Sequence, residues 1–429
     1  MIPLRRQRDY RLLWSARAVT EAGSEVSRLA VPLTAVTLLA ASPMEMGVLT
    51  AAASLPFLFI GLPVGVWADR VRRRRPVLVL CELVAGTAVV TIPVAWLLGL
   101  LTVHWLIGVA LVVGACTVTF RNFTMPHLTS VVAEPQRTEA IAGMQSVFSI
   151  AQLGGPGLAG VLVSVLSAPL ALLVNAVTFV TSALLLRSIR AEEPDRPATP
   201  ARSLRRSLRR EIAEGMSALA RHPVLRALAL CGMTVNLFAA AQLAVYVLYA
   251  VHVLKLPGGL VGIMMVGFGA GGLVGAFVAP TLSRRHGGPA VLLGAVLFFP
   301  LGFLVMAAVS GPVWWCVLLI GAAEAVVGVA VVCFSVCSGA MSLRETAPEL
   351  IGRVNASINF LTQGALGVGG LLGGVAGELL GLRPAMWVCF AGALLTIPCL
   401  WFSPLVGLTR PARVLRDAAE ATTPEAARR

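Results

Sequence analysis

Twelve apolar stretches, six on each side of one polar break, leave this chain few ways to fold. They fall at about 11–39, 46–67, 77–99, 103–126, 139–166 and 169–187, then at 224–254, 259–282, 289–309, 312–341, 352–380 and 384–406. About 20 apolar residues cross the hydrocarbon of a bilayer as a helix. A helix also satisfies its backbone polar groups internally, which lipid demands. The pattern therefore predicts an all-α integral membrane protein with twelve spans. Composition agrees: of 429 residues, 57% are hydrophobic and 13% charged, with a mean hydropathy of +0.86. A soluble chain carries about 25% charged residues. The basic N-terminus, Met1 to Trp14, runs into an apolar stretch too long and too charged for a signal peptide, so it reads as a retained first span.

Charge placement sets the expected orientation. The net charge is +14, and every basic residue except Lys255 is Arg. Of the 34 basic residues, 29 fall on one side if both termini face the cytoplasm, against Lys255 and Arg383 on the other. The remaining three, Arg17, Arg28 and Arg121, lie within spans. This positive charge marks topology, so no nucleic-acid partner is expected. Lys255 sits in VLKLP, which leaves no GxxxxGK[ST] phosphate loop. The eight cysteines all fall in apolar runs without metal-ligand spacing and read as small hydrophobes. No cofactor, metal or enzymatic constellation is expected. The break from 187 to 222 is Pro-rich at first. It then places Leu204, Leu208, Ile212 and Met216 at i, i+4 spacing, which predicts an amphipathic surface helix. The expected organisation is a six-helix bundle at 1–188, a cytoplasmic linker at 189–222, a second bundle at 223–408, and a cytoplasmic tail at 409–429.

The halves correspond. An ungapped shift of 214 residues pairs Ala30 with Ala244, Gly61 with Gly275, Arg70 with Arg284, and Gly114 with Gly328. It also pairs Phe120 with Phe334, Gln145 with Asn359, Gly155 with Gly369, and Gly160 with Gly374. Parallel repeats related by an axis along the membrane normal are a transporter architecture.

The loop after the second span reads Gly65-Val-Trp-Ala-Asp69-Arg70-Val-Arg-Arg73-Arg74. It resembles the G-x-x-x-D-R-x-x-R-R loop of the major facilitator superfamily. YRLLW near the start, Leu172 to Phe179 in the sixth span, and Glu214-Gly215 with Arg221-His222-Pro223 resemble the enterobactin-exporter-like group of bacterial multidrug and metabolite exporters. The resemblance implies two pseudo-symmetric six-helix bundles and a cytoplasmic gate built from Gly65, Asp69, Arg70, Arg73 and Arg74. The second-half counterpart has Ser283 for the acid and keeps only Arg284, so the gate is expected to be lopsided. Gly155, Pro156 and Gly160 of the fifth span resemble an element associated with antiporters. The alternative reading of those small residues is close packing against a neighbouring helix.

Ionisable groups inside a span are costly and face a cavity or one another. In the first span Arg17, Glu21, Glu25 and Arg28 share one stripe, either as a self-neutralising ladder or as a face binding protons or a cationic substrate. Glu324 stands in the tenth span without a charged neighbour on its own helix. Desolvation favours the neutral form of a carboxyl, which suits a proton carrier. Arg121 in the fourth span, Asn236, Gln242, Tyr246 and Tyr249 in the seventh, and Ser335 in the tenth complete the cavity candidates. The resemblance implies that spans 1, 4, 7 and 10 line a central cavity. Glu82 and Glu378 are assigned structural roles.

The resulting expectation is a monomeric, multi-pass protein of the bacterial cytoplasmic membrane. It would export an amphipathic small molecule by alternating access in exchange for protons, which enter at Glu324, Glu21 or Glu25. Uptake or uniport of a small nutrient is the alternative, and a non-transporting scaffold or receptor is a more distant one.

Overall fold

The computed structural model describes residues 3–71, 73–191, 204–347 and 350–408. The regular elements among them are all helices. The first half holds α1 (Arg8–Leu39), α2 (Pro43–Arg70), α3 (Arg74–Leu97), α4 (Val103–Val131), α5 (Arg137–Leu166) and α6 (Ala168–Arg187). The amphipathic segment forms α7 (Leu204–Arg221). The second half holds α8 (Pro223–Leu248), α9 (Gly258–His286), α10 (Gly288–Ala308), α11 (Val313–Glu345), α12 (Ile351–Leu380) and α13 (Leu382–Trp401). Ten of these are long and apolar enough to cross a membrane. The three helices outside that set are the amphipathic α7, α1, where the ionic stripe lowers the hydropathy, and α5, several of whose side chains lie outside the described residues. The expected tail at 409–429 also lies outside them.

Local signals start and turn the helices. Ser42 and Glu45 form a capping box at α2, with Pro43 in its first turn. The Thr102 hydroxyl accepts from the Trp105 amide at the start of α4. Ser167 (φ 73°) turns the chain from α5 into α6, and Gly381 (φ 88°) turns it from α12 into α13. These two positions are 214 residues apart.

The repeat therefore extends to packing. In the first half α1 packs on α5 and α6, α2 on α4, and α3 on α4 and α6. In the second half α8 packs on α12 and α13, α9 on α11, and α10 on α11 and α13. A Cβ on Gly61 would touch Val118, and one on Gly275 would touch Val332. Gly114 lies against the Ala53 carbonyl of α2 as Gly328 lies against the Phe268 carbonyl of α9.

The halves meet along α2 with α12 and α5 with α9. The α2–α12 seam runs from Met44, whose amide donates to the Glu378 carboxylate at 3.3 Å, through Gly47 and Gly374 and then Thr50 and Gly370, to Leu58 beside Gly364. Gly262 of α9 seats on Gly160 of α5: a Cβ there would lie 2.5 Å from the Gly160 Cα. Both seams involve the ends of the helices remote from the arginine-rich loop between α2 and α3. One hydrophobic core there draws on both halves, uniting Leu29, Leu33 and Leu172 with Tyr246, Tyr249 and Met306. Toward the arginine-rich end the core divides. Leu13, Phe120 and Phe123 belong to a cluster of the first half, while Leu228, Leu292 and Cys333 belong to one of the second. The bundles are joined at one end and separately packed at the other.

Candidate functional site

Three polar groups lie within this frame. On α1, three steps of three or four residues bring the ionic stripe to one face, and the four charges resolve into two pairs. Arg17 is ion-paired with Glu21, their side chains 14% and 15% exposed. Arg28 Nη1 lies 3.2 Å from Glu25 Oε1, but Glu25 is 2% exposed and Arg28 48%. Arg17 also lies over the Phe120 ring at 5.9 Å. Arg121 of α4 has Arg17 and Glu21 as electrostatic neighbours and stacks over Phe57 of α2 at 5.5 Å.

Glu82 of α3 joins this group. The Thr20 hydroxyl donates to its two carboxylate oxygens, at 3.0 and 3.1 Å, and Glu82 is buried. An acid in an otherwise apolar span and a threonine on the α1 stripe are the sequence signals of this contact, which fits the structural role assigned to Glu82. Asn175 of α6 is a second such residue: its amide donates to Ser27 at 2.5 Å and it is buried.

The α5 element has an identifiable packing origin. A Cβ on Gly155 would collide with both Cβ and Cγ of Glu25, so this glycine makes the space in which the carboxylate side chain lies. Gly160 admits α9 of the other half. The side chain of Pro156 lies outside the described residues.

In the second half, Gln242 and Tyr246 stand one turn apart on α8, both buried. Neither Gln242 Nε2 nor the Tyr246 hydroxyl has a hydrogen-bond partner among the described residues. Glu324 of α11 is an electrostatic neighbour of Tyr246, and its carboxylate lies against Gly302 of α10, where a Cβ would be 3.6 Å from Oε1. Buried polar groups are normally satisfied by protein or by water; this trio is an internal polar site. The other second-half candidates, Tyr249, Asn236 and Ser335, are bonded elsewhere or exposed. Tyr249 is fully buried in the shared core and accepts from Arg383 Nε at 3.2 Å, while Arg383 Nη2 donates to the Val309 carbonyl at 2.9 Å. Asn236 donates to the Gly232 carbonyl on its own helix at 2.8 Å, and Ser335 is exposed.

In the arginine-rich loop, Gly65 lies against Asn122 of α4. Asp69 and Arg70 close α2, and their side chains lie outside the described residues. Arg73 is exposed. Arg74 is buried: Nε donates to the Ala68 carbonyl at 3.2 Å and Nη1 to the Pro126 carbonyl at 3.0 Å, tying α2 to α4. Arg75 donates to the Ile189 carbonyl. In the second half, Glu214 of α7 pairs with Arg353 of α12 at 2.5 Å, which docks the amphipathic helix.

The comparisons agree with this architecture. The family model described as Major Facilitator Superfamily matches residues 13–321. The chain is 25% identical over 407 residues, 90% of each chain, to the "Uncharacterized MFS-type transporter YfiS" of Bacillus subtilis (strain 168). A crystal structure of the nucleoside transporter NupG (D323A mutant) superposes with a TM-score of 0.76 at 11% identity, covering 91% of this chain and 98% of that one. A bacterial homologue of the iron transporter ferroportin in its inward-facing state gives 0.71 at 18% identity, covering 96% and 100%. Such a homologue in the outward-facing state gives 0.57 at 18% identity, covering 91% and 98%. With its two six-helix bundles, its repeated packing and these likenesses, the chain is a membrane transporter and belongs to the major facilitator superfamily.

Proposed function

We propose that this transporter exports an amphipathic small molecule in exchange for protons, with the arginine-rich end and both termini in the cytoplasm. The observation that carries the reading is the placement of Glu324 beside the buried Tyr246 hydroxyl, which, like Gln242 Nε2 one turn away on α8, has no hydrogen-bond partner among the described residues. A carboxyl in such a place can hold a proton on one leg of a transport cycle and release it on the other. The separate packing of the bundles at the arginine-rich end supports reading this as the inward-open state, in which substrate loads from the cytoplasm. The higher score against the inward-facing relative supports that assignment. Residues 1–188 and 223–408 are the two moving bodies, and α7 rides with the second through Glu214 and Arg353.

Inverted membrane vesicles test the reading. Vesicles carrying the protein should accumulate members of a dye and antibiotic panel when their interior is acidified, and a protonophore should abolish the accumulation. Accumulation that survives the protonophore, or that occurs only in intact cells and not in inverted vesicles, would replace it with uniport or uptake.

A further inference from the structure

We propose that the first half carries an anion-binding site, in which Arg121, backed by Phe57, receives the negatively charged group of an amphipathic organic acid. The inference rests on the chain being a small-molecule transporter and names the class of substrate its opening takes.

Accounting for the charges leads to Arg121. Arg17 is neutralised by Glu21, and Arg28 by Glu25. Glu82 is buried and bound by Thr20. Glu324 belongs to the other half. Arg121 remains: its guanidinium makes no ion pair or hydrogen bond among the described residues, and it is exposed. It lies ten residues from the end of α4 at Val131, about 15 Å along the helix at 1.5 Å per residue. Arg17 lies nine residues from the start of α1, about 14 Å from the same end. Arg121 is therefore set well inside the protein rather than at its rim. A bare guanidinium facing lipid at that depth is unfavourable, so its exposure is to the water-filled space between the bundles.

The surroundings suit an oxyanion attached to an apolar body. Phe57 holds the guanidinium through its ring face. That leaves the N–H fork free for the paired oxygens of a carboxylate, sulfonate or phosphate, which Arg matches better than Lys does. The Arg17–Glu21 pair nearby is neutral overall, so Arg121 carries the uncompensated charge here, and Thr117, one turn away on α4, is exposed. Close approach of α4 to α2 at Gly114 brings Phe57 under Arg121. A cationic group brought to Arg121 itself would meet the repulsion of its unpaired guanidinium.

The test is equilibrium binding to the purified full-length protein by calorimetry, with three probes on one skeleton: 2-naphthoate, 2-naphthamide and 2-naphthylmethylamine. Naphthoate should bind at least tenfold more tightly than the amide, and the amine most weakly. Arg121→Gln should bring naphthoate to the level of the amide at unchanged thermal stability, and Arg121→Lys should keep part of the preference. Equal binding of the amide or amine by the parent protein, no naphthoate binding at millimolar concentration, or a preference that survives Arg121→Gln would overturn the proposal. No gradient is present in the measurement. Failure of proton-driven export in vesicles would thus leave this site standing, and failure here would leave export untouched.

Discussion

Ser167 and Gly381 hold the same backbone conformation, φ 73° and ψ 158° against φ 88° and ψ 163°, at positions 214 residues apart. Each begins a helix after a tight turn. Glycine adopts that conformation freely, whereas a side chain there costs about 1–3 kcal/mol. Ser167→Gly should therefore stabilise the protein by about 1 kcal/mol, after allowing for the extra freedom of glycine in the unfolded chain. Thermal unfolding in detergent reads the shift, and a lowered midpoint would show that Ser167 is not strained.

Glu25 and Arg28 differ so much in exposure that their replacements should not be equivalent. Arg28→Gln leaves a buried carboxylate without its cation, whereas Glu25→Gln leaves a guanidinium already half in water. Arg28→Gln should be the more destabilising, and the double change should recover about 1 kcal/mol relative to additive losses. Strict additivity in thermal melts would mean that the two side chains do not act as a pair.

The glycine seams are expected to bias the conformational equilibrium. A Cβ on Gly374 would lie 2.8 Å from the Gly47 Cα, with backbone on both sides and no side chain to yield. Gly374→Val should wedge that end open. A cysteine placed at the buried Ala51 should then react with a membrane-impermeant thiol reagent, while the same cysteine in the parent stays protected. Protection in both would locate the moving interface elsewhere.

Glu324→Gln keeps side-chain volume and mimics the protonated acid. It should abolish uphill transport driven by a pH gradient, yet keep substrate binding and exchange at equal pH. Tyr246→Phe removes a buried hydroxyl that has no partner among the described residues. It should leave stability unchanged or slightly raised while slowing gradient-driven transport. Normal uphill transport by Glu324→Gln would pass the coupling role to Glu21 or Glu25.

Two residues of the arginine-rich loop should separate cleanly. Arg74→Gln loses buried charged hydrogen bonds to Ala68 and Pro126 and should destabilise the first half by about 1.5–3 kcal/mol. Asp69→Asn should insert and melt normally but turn over slowly, because it removes the acid of the proposed gate. Normal turnover in Asp69→Asn reduces the loop to a topological anchor.

The fold was legible because lipid leaves the backbone little choice, and because glycines recur at equal spacing wherever two helices touch. Gly61 with Gly275 and Gly114 with Gly328 are contacts of the same kind in the two halves. The sites were less legible. Spacing put Arg17, Glu21, Glu25 and Arg28 on one stripe, but only the neighbouring helices decide which member is buried. The one that covers Glu25 is α5, through Gly155. Periodicity likewise grouped Tyr249 with Gln242 and Tyr246, but the π-helical turn at Tyr249–Val253 and Arg383 hold Tyr249 in the core. Glu82 needed Thr20 from another helix to show its place, and Arg74 was spent on carbonyls that no linear motif reveals.

The seam from Met44 to Leu58 has an electrical consequence. Fourteen residues of helix span about 21 Å, roughly two thirds of a hydrocarbon layer of about 30 Å. In the proposed orientation the space between the bundles is continuous with the cytoplasm and sits near its potential, so most of the membrane voltage falls across this dry plug. A substrate entering as far as Arg121 would cross almost none of that voltage. A proton passing from the far side toward Glu324 would cross most of it, at about 2.3 kcal/mol per 100 mV for a full crossing.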